Sequence, residues 1–339
     1  MDMKMDILSN AVCKTIIYGN SKEIENSFQV ALTGMANYIS HIGMTIMSIC
    51  KSNPEMKITF HLFLNGLPKD DEKRLEEAAT QTRKNICVHL MNDEAFQSLV
   101  FGEKTAVFFY RFVVADLLAK YSNRVLYIDG DTMCNGSLAE LNELDLKHYI
   151  AAVSPDRRAR KQMYQLGTKG FFNAGAMLIH TKQWCKEDMF TKVVKMAHDS
   201  LKKIDAKGNC EGWHGLKYND QNILNKMLDG RVLWLPKKYN YIYKLNRAAF
   251  FRKAEQNEDY RQQVILHFAG SVKPWHTWVE DWPVVREYRE IWQDSPWKDV
   301  PMDAPASRKD YHQAAREYRM TGQYGKALRH YWAYYKRKL

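Results

Sequence analysis

The chain has 339 residues, of which 45% are hydrophobic, so it is long enough to bury a substantial core in one large domain or two smaller ones. The formal net charge is +11, and residues 308–339 carry nine Lys or Arg against two acids, which leaves +4 for the other 307 residues. Because the body is close to neutral and the tail is basic, the charge favours an anionic surface facing the tail. It argues against a protein coated with nucleic acid over its whole surface.

The cysteines and the apolar segments indicate the cellular compartment. The six cysteines form no Cys-x-x-Cys pair, which argues against a disulfide framework and against a zinc site and favours free thiols in a reducing compartment. The N-terminus has no uninterrupted apolar stretch of the secretory type, and the most apolar window, roughly 30–50, is broken by Asn37 and His41. We therefore expect a cytoplasmic protein without a membrane span.

Apolar runs alternate with helical stretches along most of the chain. Residues 1–26 are polar and weakly patterned, and we interpret them as an N-terminal extension. Strands are predicted at 27–34, 57–66, 85–92, 124–131, 149–154, 171–180, 231–236 and 263–268. Helices are predicted at 41–52, 69–83, 105–121 and from residue 220. The alternation predicts an α/β fold with a largely parallel central sheet, and ligands gather at the carboxyl ends of such strands.

The C-terminal part differs in composition. Residues 273–299 contain five of the nine tryptophans, and 301–307, PMDAPAS, resemble a linker. The basic tail that follows adds six tyrosines and Trp332. Lys and Arg together with interfacial aromatic residues are typical of a segment that docks on an anionic lipid leaflet. An ordinary solvated helix pair is the alternative.

Two carboxylates follow the predicted strand at 124–131. Asp129 and Asp131 stand one residue apart in YIDGDTMCNGSL, and like charges at that spacing repel unless a cation compensates them. Carboxylate oxygens are hard ligands suited to Mg²⁺ or Mn²⁺, which proteins often share with substrate phosphates. The alternative is a polar loop in which Asp131 begins an Asx turn or caps the following helix.

The segment VILHFAGSVKPWH, 264–276, supplies groups of complementary chemistry. His267 follows an apolar run and suits a divalent ion as a neutral imidazole, while Gly270 permits a tight turn near a ligand. Lys273 is a compact positive charge suited to a phosphate. Each residue alone is more typical of a core histidine, a turn glycine and a surface lysine. Together, within seven residues, they indicate the binding of a diphosphate.

Polar residues stand out in two further segments, at the start of a predicted helix and within an apolar run. Asp220 and Gln221 open an amphipathic helix, where Asn219 or Asp220 acts either as the helix N-cap or as part of a substrate site. Asn173 and Gly175 interrupt the apolar run GFFNAGAMLIH, and a buried amide there needs partners, of which a sugar hydroxyl is one candidate.

Arg111 lies within the largely apolar run FFYRFVVADLL. A buried guanidinium requires an anion nearby. That anion is either a substrate group or an internal carboxylate, with Asp116 and Asp129 as the candidates.

In this order, the motifs resemble those of the family-8 retaining glycosyltransferases, most of all the bacterial lipopolysaccharide core glucosyl- and galactosyltransferases. The resemblance spans roughly residues 27–339. The segments that carry it are FYRF (109–112), VLYIDGD (125–131) with the following GSLAEL, FFNAGAMLIH (171–180) with Trp184, YNDQNILN (218–225), HFAGSVKPWH (267–276) and QDSPWKD (293–299). It implies a GT-A fold, with a Rossmann-like sheet in a catalytic domain at 27–280 and a helical, membrane-associating region at 281–339.

The resemblance also implies roles for individual residues. The metal, Mn²⁺ or Mg²⁺, would be bound by Asp129, Asp131 and His267. The diphosphate and the donor sugar would be held by Gly130, Gly270, Lys273, Arg111, Asp156, Asn173, Asp220 and Gln221. Catalysis would rest on Gln221, Asp220 and Asp131. Since an amide is a poor nucleophile, Gln221 favours front-face departure and attack over a double displacement through a carboxylate.

The sequence departs from the family pattern at the end of its first predicted strand. Met35 and Ala36 stand where one or two aspartates usually precede Asn-Tyr. In the family, one of these acids contacts uracil. Recognition of the base is therefore expected to rest on Thr33, Asn37, Tyr38 and backbone groups.

We predict a transferase that moves glucose or galactose from a UDP-sugar to the lipopolysaccharide core while attached peripherally to the cytoplasmic face of the inner membrane. Three alternatives remain open. One is a family-8 transferase with another glycan or a protein as acceptor, and another is a sugar-nucleotide-binding protein without turnover. The third is a nucleic-acid-binding protein that uses the basic tail, although no nucleic acid is expected as a partner of the transferase.

Overall fold

The computed structural model describes residues 3–101, 105–156, 159–205, 207, 210–211, 214, 219–245, 258–279 and 282–337. In these ranges the strands are β1 Val12–Tyr18, β2 Phe28–Gly34, β3 Ile58–Leu64, β4 Asn85–Met91, β5 Arg124–Ile128, β6 Thr132–Cys134, β7 Ala151–Pro155, β8 Phe172–His180, β9 Val232–Trp234, β10 Tyr241–Ile242 and β11 Ile265–His267.

The α-helices of the same ranges lie between and after these strands. They are α1 Met3–Asn10, α2 Ile39–Ser52, α3 Lys69–Thr82, α4 Val114–Leu118, α5 Ala139–Glu143, α6 Arg160–Leu166, α7 Thr181–Lys186, α8 Met189–Leu201, α9 Asp220–Met227, α10 Pro283–Gln293, α11 Arg308–Met320 and α12 Tyr324–Lys336.

The central sheet has the strand order β1-β4-β3-β2-β5-β8-β7-β9 across the described residues. Strands β4, β3, β2 and β5 are parallel to one another, whereas β1 runs antiparallel to β4 and β8 runs antiparallel to both β5 and β7. All seven side chains of β3 are buried, as expected for a strand covered by helices on both faces. The predicted α/β fold with a mainly parallel sheet is confirmed for the strands that lead to Asp129.

The first residues contribute a helix and a strand that the sequence analysis did not predict. Strand β1 pairs antiparallel with β4 along its whole length, from Val12 opposite Met91 to Tyr18 opposite Ile86. None of its side chains is fully buried, because it is the edge strand of the sheet. An edge strand without a buried face has no apolar alternation, which is why its sequence resembles a polar extension.

The prediction of one continuous helix at 105–121 was wrong. The segment is a 3-10 helix, Ala106–Phe112, followed by the short helix α4. The run is dense in aromatic and β-branched residues, which lose side-chain freedom in an α-helix. Phe109, Tyr110 and Phe112 are all fully buried, so tertiary packing determines the backbone here.

A second, three-stranded sheet has the order β10-β11-β6. Strand β11 runs antiparallel to β6, so that His267 lies opposite Thr132, the residue after Asp131. The strand predicted at 263–268 is confirmed, but it belongs to this small sheet and not to the central one. This pairing brings His267 to the loop between β5 and β6.

The tryptophan-rich segment is part of the core. Helix α10 buries one face, including Val285 and Trp292, and the indole of Trp297 is fully buried against α2. A Cβ atom at Gly43 would lie 2.5 Å from that indole, so glycine is what allows the contact. Helices α11 and α12 follow, and no helix in the described ranges is both long and apolar enough to cross a membrane.

A chain of buried hydrogen bonds links β1 to the middle of the sheet. His89 contacts Thr15 through Nδ1 and His61 through Nε2, both at 3.0 Å, and His61 contacts Gln29 at 2.8 Å. Burial lowers the pKa of His89 to about 4 and that of His61 well below its ordinary 6.5. Both rings are therefore neutral in the folded protein at neutral pH.

We expect the free energy of unfolding to fall as the pH drops from about 6.5 towards 4. In this range the two histidines bind protons in the unfolded chain, whereas in the folded chain they stay neutral. The loss is up to roughly 1.4 kcal/mol per pH unit for each buried histidine. Urea titrations between pH 7 and pH 4.5 measure it. The variant His89→Gln should flatten the slope, whereas His148→Gln, at an exposed site, should keep it. Equal slopes in all three proteins would contradict this explanation.

Candidate metal centre and active site

Three groups of metal-ligating type meet where β5 and β11 end. One ligand atom from each of Asp129, Asp131 and His267 lies within 4.8 Å of the other two. His267 Nε2 is 3.1 Å from Asp131 Oδ1 and 4.0 Å from Asp129 Oδ2. Two carboxylates and one imidazole suit Mn²⁺ or Mg²⁺, so the donor set fits the predicted ion.

The orientation of His267 favours its use as a ligand. Its Nδ1 lies 3.1 Å from Asn240 Oδ1, and the amide nitrogen of Asn240 donates to the carbonyl of Asn173 at 2.9 Å. Since that amide nitrogen is the donor to Asn173, the Asn240 oxygen accepts from Nδ1–H. Nε2 is thereby directed at the two carboxylates, an arrangement that is typical of metal-binding histidines.

Protein cations compensate the carboxylates. Lys273 Nζ lies 2.5 Å from Asp131 Oδ2 and also donates to the carbonyl of Phe268 at 2.7 Å. Burial alone would raise the pKa of Asp131, but His267 and Lys273 hold it well below its ordinary range. Burial alone would lower the pKa of His267, but Asp131 and Asp129 raise it. The repulsion between the two aspartates is thus relieved within the chain itself, and the phosphate role of Lys273 stays a prediction.

Arg111 joins the metal cluster to the start of α9. Its guanidinium lies 3.1 Å from Asp129 Oδ1 and 3.1 Å from Asp220 Oδ2, and it donates to the carbonyl of Ala174 at 3.3 Å. Asp116 instead accepts from the indole N–H of Trp184. Of the two internal anions considered from the sequence, Asp129 is therefore the partner of Arg111.

Asp129 is held by further groups on its own strand and on β2. Tyr127 donates from its hydroxyl to Asp129 Oδ1 at 2.8 Å and contacts the Thr33 hydroxyl at 2.9 Å. Gly130, between the two aspartates, packs on α2, where a Cβ atom would lie 2.7 Å from Ile42. The carboxylate therefore has a fixed position before any ligand is present.

The start of α9 separates two roles that the sequence left open. The Asn219 side chain accepts from Asn222 N–H at 2.7 Å and is the N-cap, so Asp220 is available to Arg111. Gln221 Oε1 accepts from Asn173 Nδ2 at 3.1 Å and from Ala174 N–H at 3.2 Å. Within the described part of the chain, the Gln221 amide nitrogen donates to no protein atom and can bind a substrate.

The other predicted donor residues lie around this cluster. Tyr38 is half-buried at the start of α2, and Asn37 beside it is exposed. Gly270 has φ +126°, a backbone conformation that favours glycine, in the loop that leads from His267 to Lys273. The predicted contacts of these residues with the base and the diphosphate stay predictions.

A cavity of about 500 Å³ adjoins the cluster through Asn240. Its lining includes Asp156, Leu235, Pro236, Lys237, Asn240 and Tyr241. Asp156 follows β7, and its N–H donates to the carbonyl of Phe171 at 2.8 Å. Asp156 therefore faces a space next to the candidate metal centre, although it is not one of the grouped ligands.

Sequence reasoning missed the roles of three residues that shape the site. Tyr127 stands two positions before Asp129, and the two-residue period of a strand places both on the same side, which is a usable signal. Asn240 comes from a loop more than 60 residues from Asn173 and has no local pattern. Gly175 interrupts a strand, but only the fold shows that His267 lies against it.

A mainly parallel sheet with an Asp-x-Asp turn after β5, and a histidine of the smaller sheet facing that turn, fits the predicted GT-A fold of a glycosyltransferase. The chain belongs to glycosyl transferase family 8, whose model matches residues 29–279, and the model of that family's C-terminal region matches residues 282–338.

Similar proteins match this chain over nearly their whole length. A lipopolysaccharide 1,3-galactosyltransferase of Salmonella typhimurium is 29% identical, over 93% of this chain and 92% of its own. The lipopolysaccharide glucosyltransferase WaaO of Escherichia coli is 28% identical, over 96% and 95%. The crystal structure of the galactosyltransferase LgtC with donor and acceptor sugar analogues superposes with a TM-score of 0.63 at 21% identity, over 79% of this chain and 96% of that one.

Proposed function

We propose that the protein is a metal-dependent retaining glycosyltransferase that moves glucose or galactose from a UDP-sugar to the core oligosaccharide of lipopolysaccharide. The observation that carries the proposal is the cluster of Asp129, Asp131 and His267 at 4.8 Å or less, with Lys273 on its border and Gln221 nearby. The names of the relatives of similar length support the donor and acceptor classes.

The charged residues of the site fit a diphosphate donor. A bound Mn²⁺ or Mg²⁺ would supply positive charge that stabilises the departing diphosphate. Lys273, whose ammonium lies beside Asp131, would bind a phosphate oxygen of a donor held at this site. Arg111 keeps Asp129 and Asp220 in place and preserves the charge balance of the pocket.

Gln221 favours attack and departure on the same face of the sugar. Two N–H groups already occupy its Oε1, so the carbonyl is oriented and is even less nucleophilic than a free amide. The acceptor hydroxyl then forms its bond to the anomeric carbon on the face that UDP leaves. The departing phosphate oxygen takes the proton of that hydroxyl.

The 500 Å³ cavity is the proposed site of the acceptor sugar. Asn240 belongs both to the lining of this cavity and to the hydrogen-bonded support of His267. Asp156 and Lys237 offer an acceptor and a donor for sugar hydroxyls. An acceptor held here lies directly beside the donor site.

A UDP-release assay with UDP-glucose and UDP-galactose, Mn²⁺ or Mg²⁺, and core oligosaccharides of graded length tests the proposal. We expect release that depends on both metal and acceptor, with the anomeric configuration retained in the product. Background release with every donor and acceptor pair would overturn the proposed function. Measuring the affinity for UDP separately shows whether donor binding alone remains.

The last helix supports docking on an anionic membrane surface. Tyr324, Leu328, Trp332 and Tyr335 recur at helical spacing along α12, and each is more than 60% exposed. The ammonium of Lys336 lies 3.8 Å from the centre of the Trp332 ring. Apolar and aromatic side chains next to basic ones fit a lipid interface on the cytoplasmic face of the inner membrane. Residues 338 and 339 of the predicted tail lie outside the described residues.

We expect the double change Leu328→Gln and Trp332→Gln to weaken binding to vesicles with anionic lipid by roughly tenfold or more, because it removes the largest apolar groups of this face. Turnover on a soluble acceptor should not change. Vesicle co-sedimentation and the UDP-release assay measure the two effects. Tyr164→Gln, at a 75% exposed aromatic residue of the body, is the control. Unchanged vesicle binding of the double variant would contradict the docking proposal.

A further inference from the structure

A second cavity of about 330 Å³ lies next to the proposed acceptor site. Pro155 and Asp156 belong to the lining of both cavities. The second cavity is completed by α6, by the turn before β8 and by the end of β9, which contribute Arg160, Lys169, Phe171 and Trp234 among others. The two spaces therefore lie on either side of one shared wall.

Trp234 gives this cavity an aromatic surface. It is the last residue of β9 and is 45% exposed, whereas Val232 on the same strand is buried. The backbone at Gly170 runs against the indole, so closely that a Cβ there would lie 2.4 Å from Cζ2. Gly170 thus fixes the indole while leaving much of it open to the cavity. An exposed aromatic ring fixed in this way is suited to the C–H face of a sugar.

The charged groups of the cavity indicate an anionic ligand. Arg160 and Lys169 are both exposed, and within the described residues neither forms a salt bridge with a carboxylate. The backbone N–H of Lys169 donates to Asp229 at 2.8 Å, which positions the residue without using its ammonium. Arg forks and Lys ammonium groups bind phosphate and carboxylate oxygens. Asp156, the one acid among the described residues of the wall, suits a hydroxyl of the same ligand.

We infer that this second cavity is a distal acceptor subsite, which binds an anionic sugar residue next to the acceptor sugar in the same oligosaccharide. Trp234 stacks on the ring of that residue, and Arg160 with Lys169 binds its phosphate or carboxylate group. The inference rests on the proposed function, since it extends the acceptor site of that reaction. It adds a specificity for charge that the metal centre and the first cavity do not require.

The test measures acceptor binding and turnover separately with three forms of one core oligosaccharide: phosphorylated, enzymatically dephosphorylated, and cut back to the acceptor sugar. Acceptor binding is measured by calorimetry without donor, and KM and kcat by UDP release. For the phosphorylated form, we expect Trp234→Ala to raise the acceptor Kd and KM about tenfold with kcat within about twofold. We expect the double variant Arg160→Gln with Lys169→Gln to raise the acceptor Kd and KM about tenfold for the phosphorylated oligosaccharide. It should leave both constants unchanged for the acceptor sugar alone.

Two further comparisons make the outcome decisive. If removing phosphate leaves the effect of the double variant unchanged, while removing sugar carboxylates abolishes it, the anion is a carboxylate. Lys202→Gln, at an exposed lysine directly after α8, is the matched control and should change neither constant. Equal affinities of the wild-type protein for all three acceptors, or wild-type constants in both variants, would overturn the subsite. Absence of transfer with every acceptor would instead overturn the proposed function, and the calorimetric comparison would still decide the subsite.

Discussion

Replacing Asp131 by Ala is expected to lower metal-dependent turnover by at least about 10³-fold, since the change removes a proposed metal ligand and the carboxylate that faces both His267 and Lys273. In the folded protein, Asp131 lies 3.1 Å from His267 Nε2 and 2.5 Å from Lys273 Nζ. Without it, the ammonium of Lys273 loses its carboxylate partner. UDP release and the calorimetric affinity for Mn²⁺ measure the loss.

The effect should be local to the site. Asp131→Asn keeps the size of the side chain and removes only its charge, so it should abolish Mn²⁺ binding with a smaller change in stability than Asp131→Ala. Asp145→Asn, at an exposed loop position, should leave both activity and Mn²⁺ affinity at the wild-type level. Manganese-dependent turnover within tenfold of wild type in Asp131→Ala would show that the residue is not a metal ligand.

The helices and strands that could be predicted from the sequence are those whose buried residues form an apolar run or recur at a regular spacing along the chain. Strands β2 to β5 and helix α3 come within a few residues of their predicted bounds, because apolar runs and amphipathic spacing determine them. The same holds for the candidate metal ligands, since Asp129 directly follows such a strand and His267 ends another. Their chemistry is visible as a polar interruption of an apolar run.

What could not be predicted depends on contacts between distant segments. Strand β1 has no buried face, so nothing in its own sequence marks it as part of the sheet. Asn240 acquires its role only because the turn before β10 lies beside β8 and β11. Lys273 has the charge expected of a phosphate ligand, but only the fold shows that it binds Asp131 in the protein without substrate.

The support of the site also explains why a residue without a functional group can control it. Gly175 on β8 accepts the Asp129 N–H at its carbonyl, at 2.8 Å, and lies directly against the His267 ring. A Cβ atom there would be 2.2 Å from His267 Cε1 and 2.7 Å from Asp129 Oδ2. Gly175 has no positive φ, so space and not backbone strain requires glycine at this position.

Gly175→Ala is therefore expected to lower the affinity for Mn²⁺ by roughly 10- to 100-fold, although the residue offers no ligand atom. The His267 ring is buried and bonded to Asn240, and Asp129 is held by Tyr127 and Arg111, so the methyl group must displace a ligand from its position. Overpacking of this kind costs about 1–3 kcal/mol of stability, which a large domain tolerates. Calorimetry with Mn²⁺ and a urea titration measure the two effects.

The matched control is Gly325→Ala, where a Cβ atom would meet nothing within 4 Å. This change lies within α12 and should leave the Mn²⁺ affinity as it is, with stability equal or slightly higher, because Ala favours a helix more than Gly does. If Gly175→Ala binds Mn²⁺ as tightly as Gly325→Ala, then His267 or Asp129 is free to move aside without loss. In that case the fixed geometry described for the ligands would not be what determines metal binding.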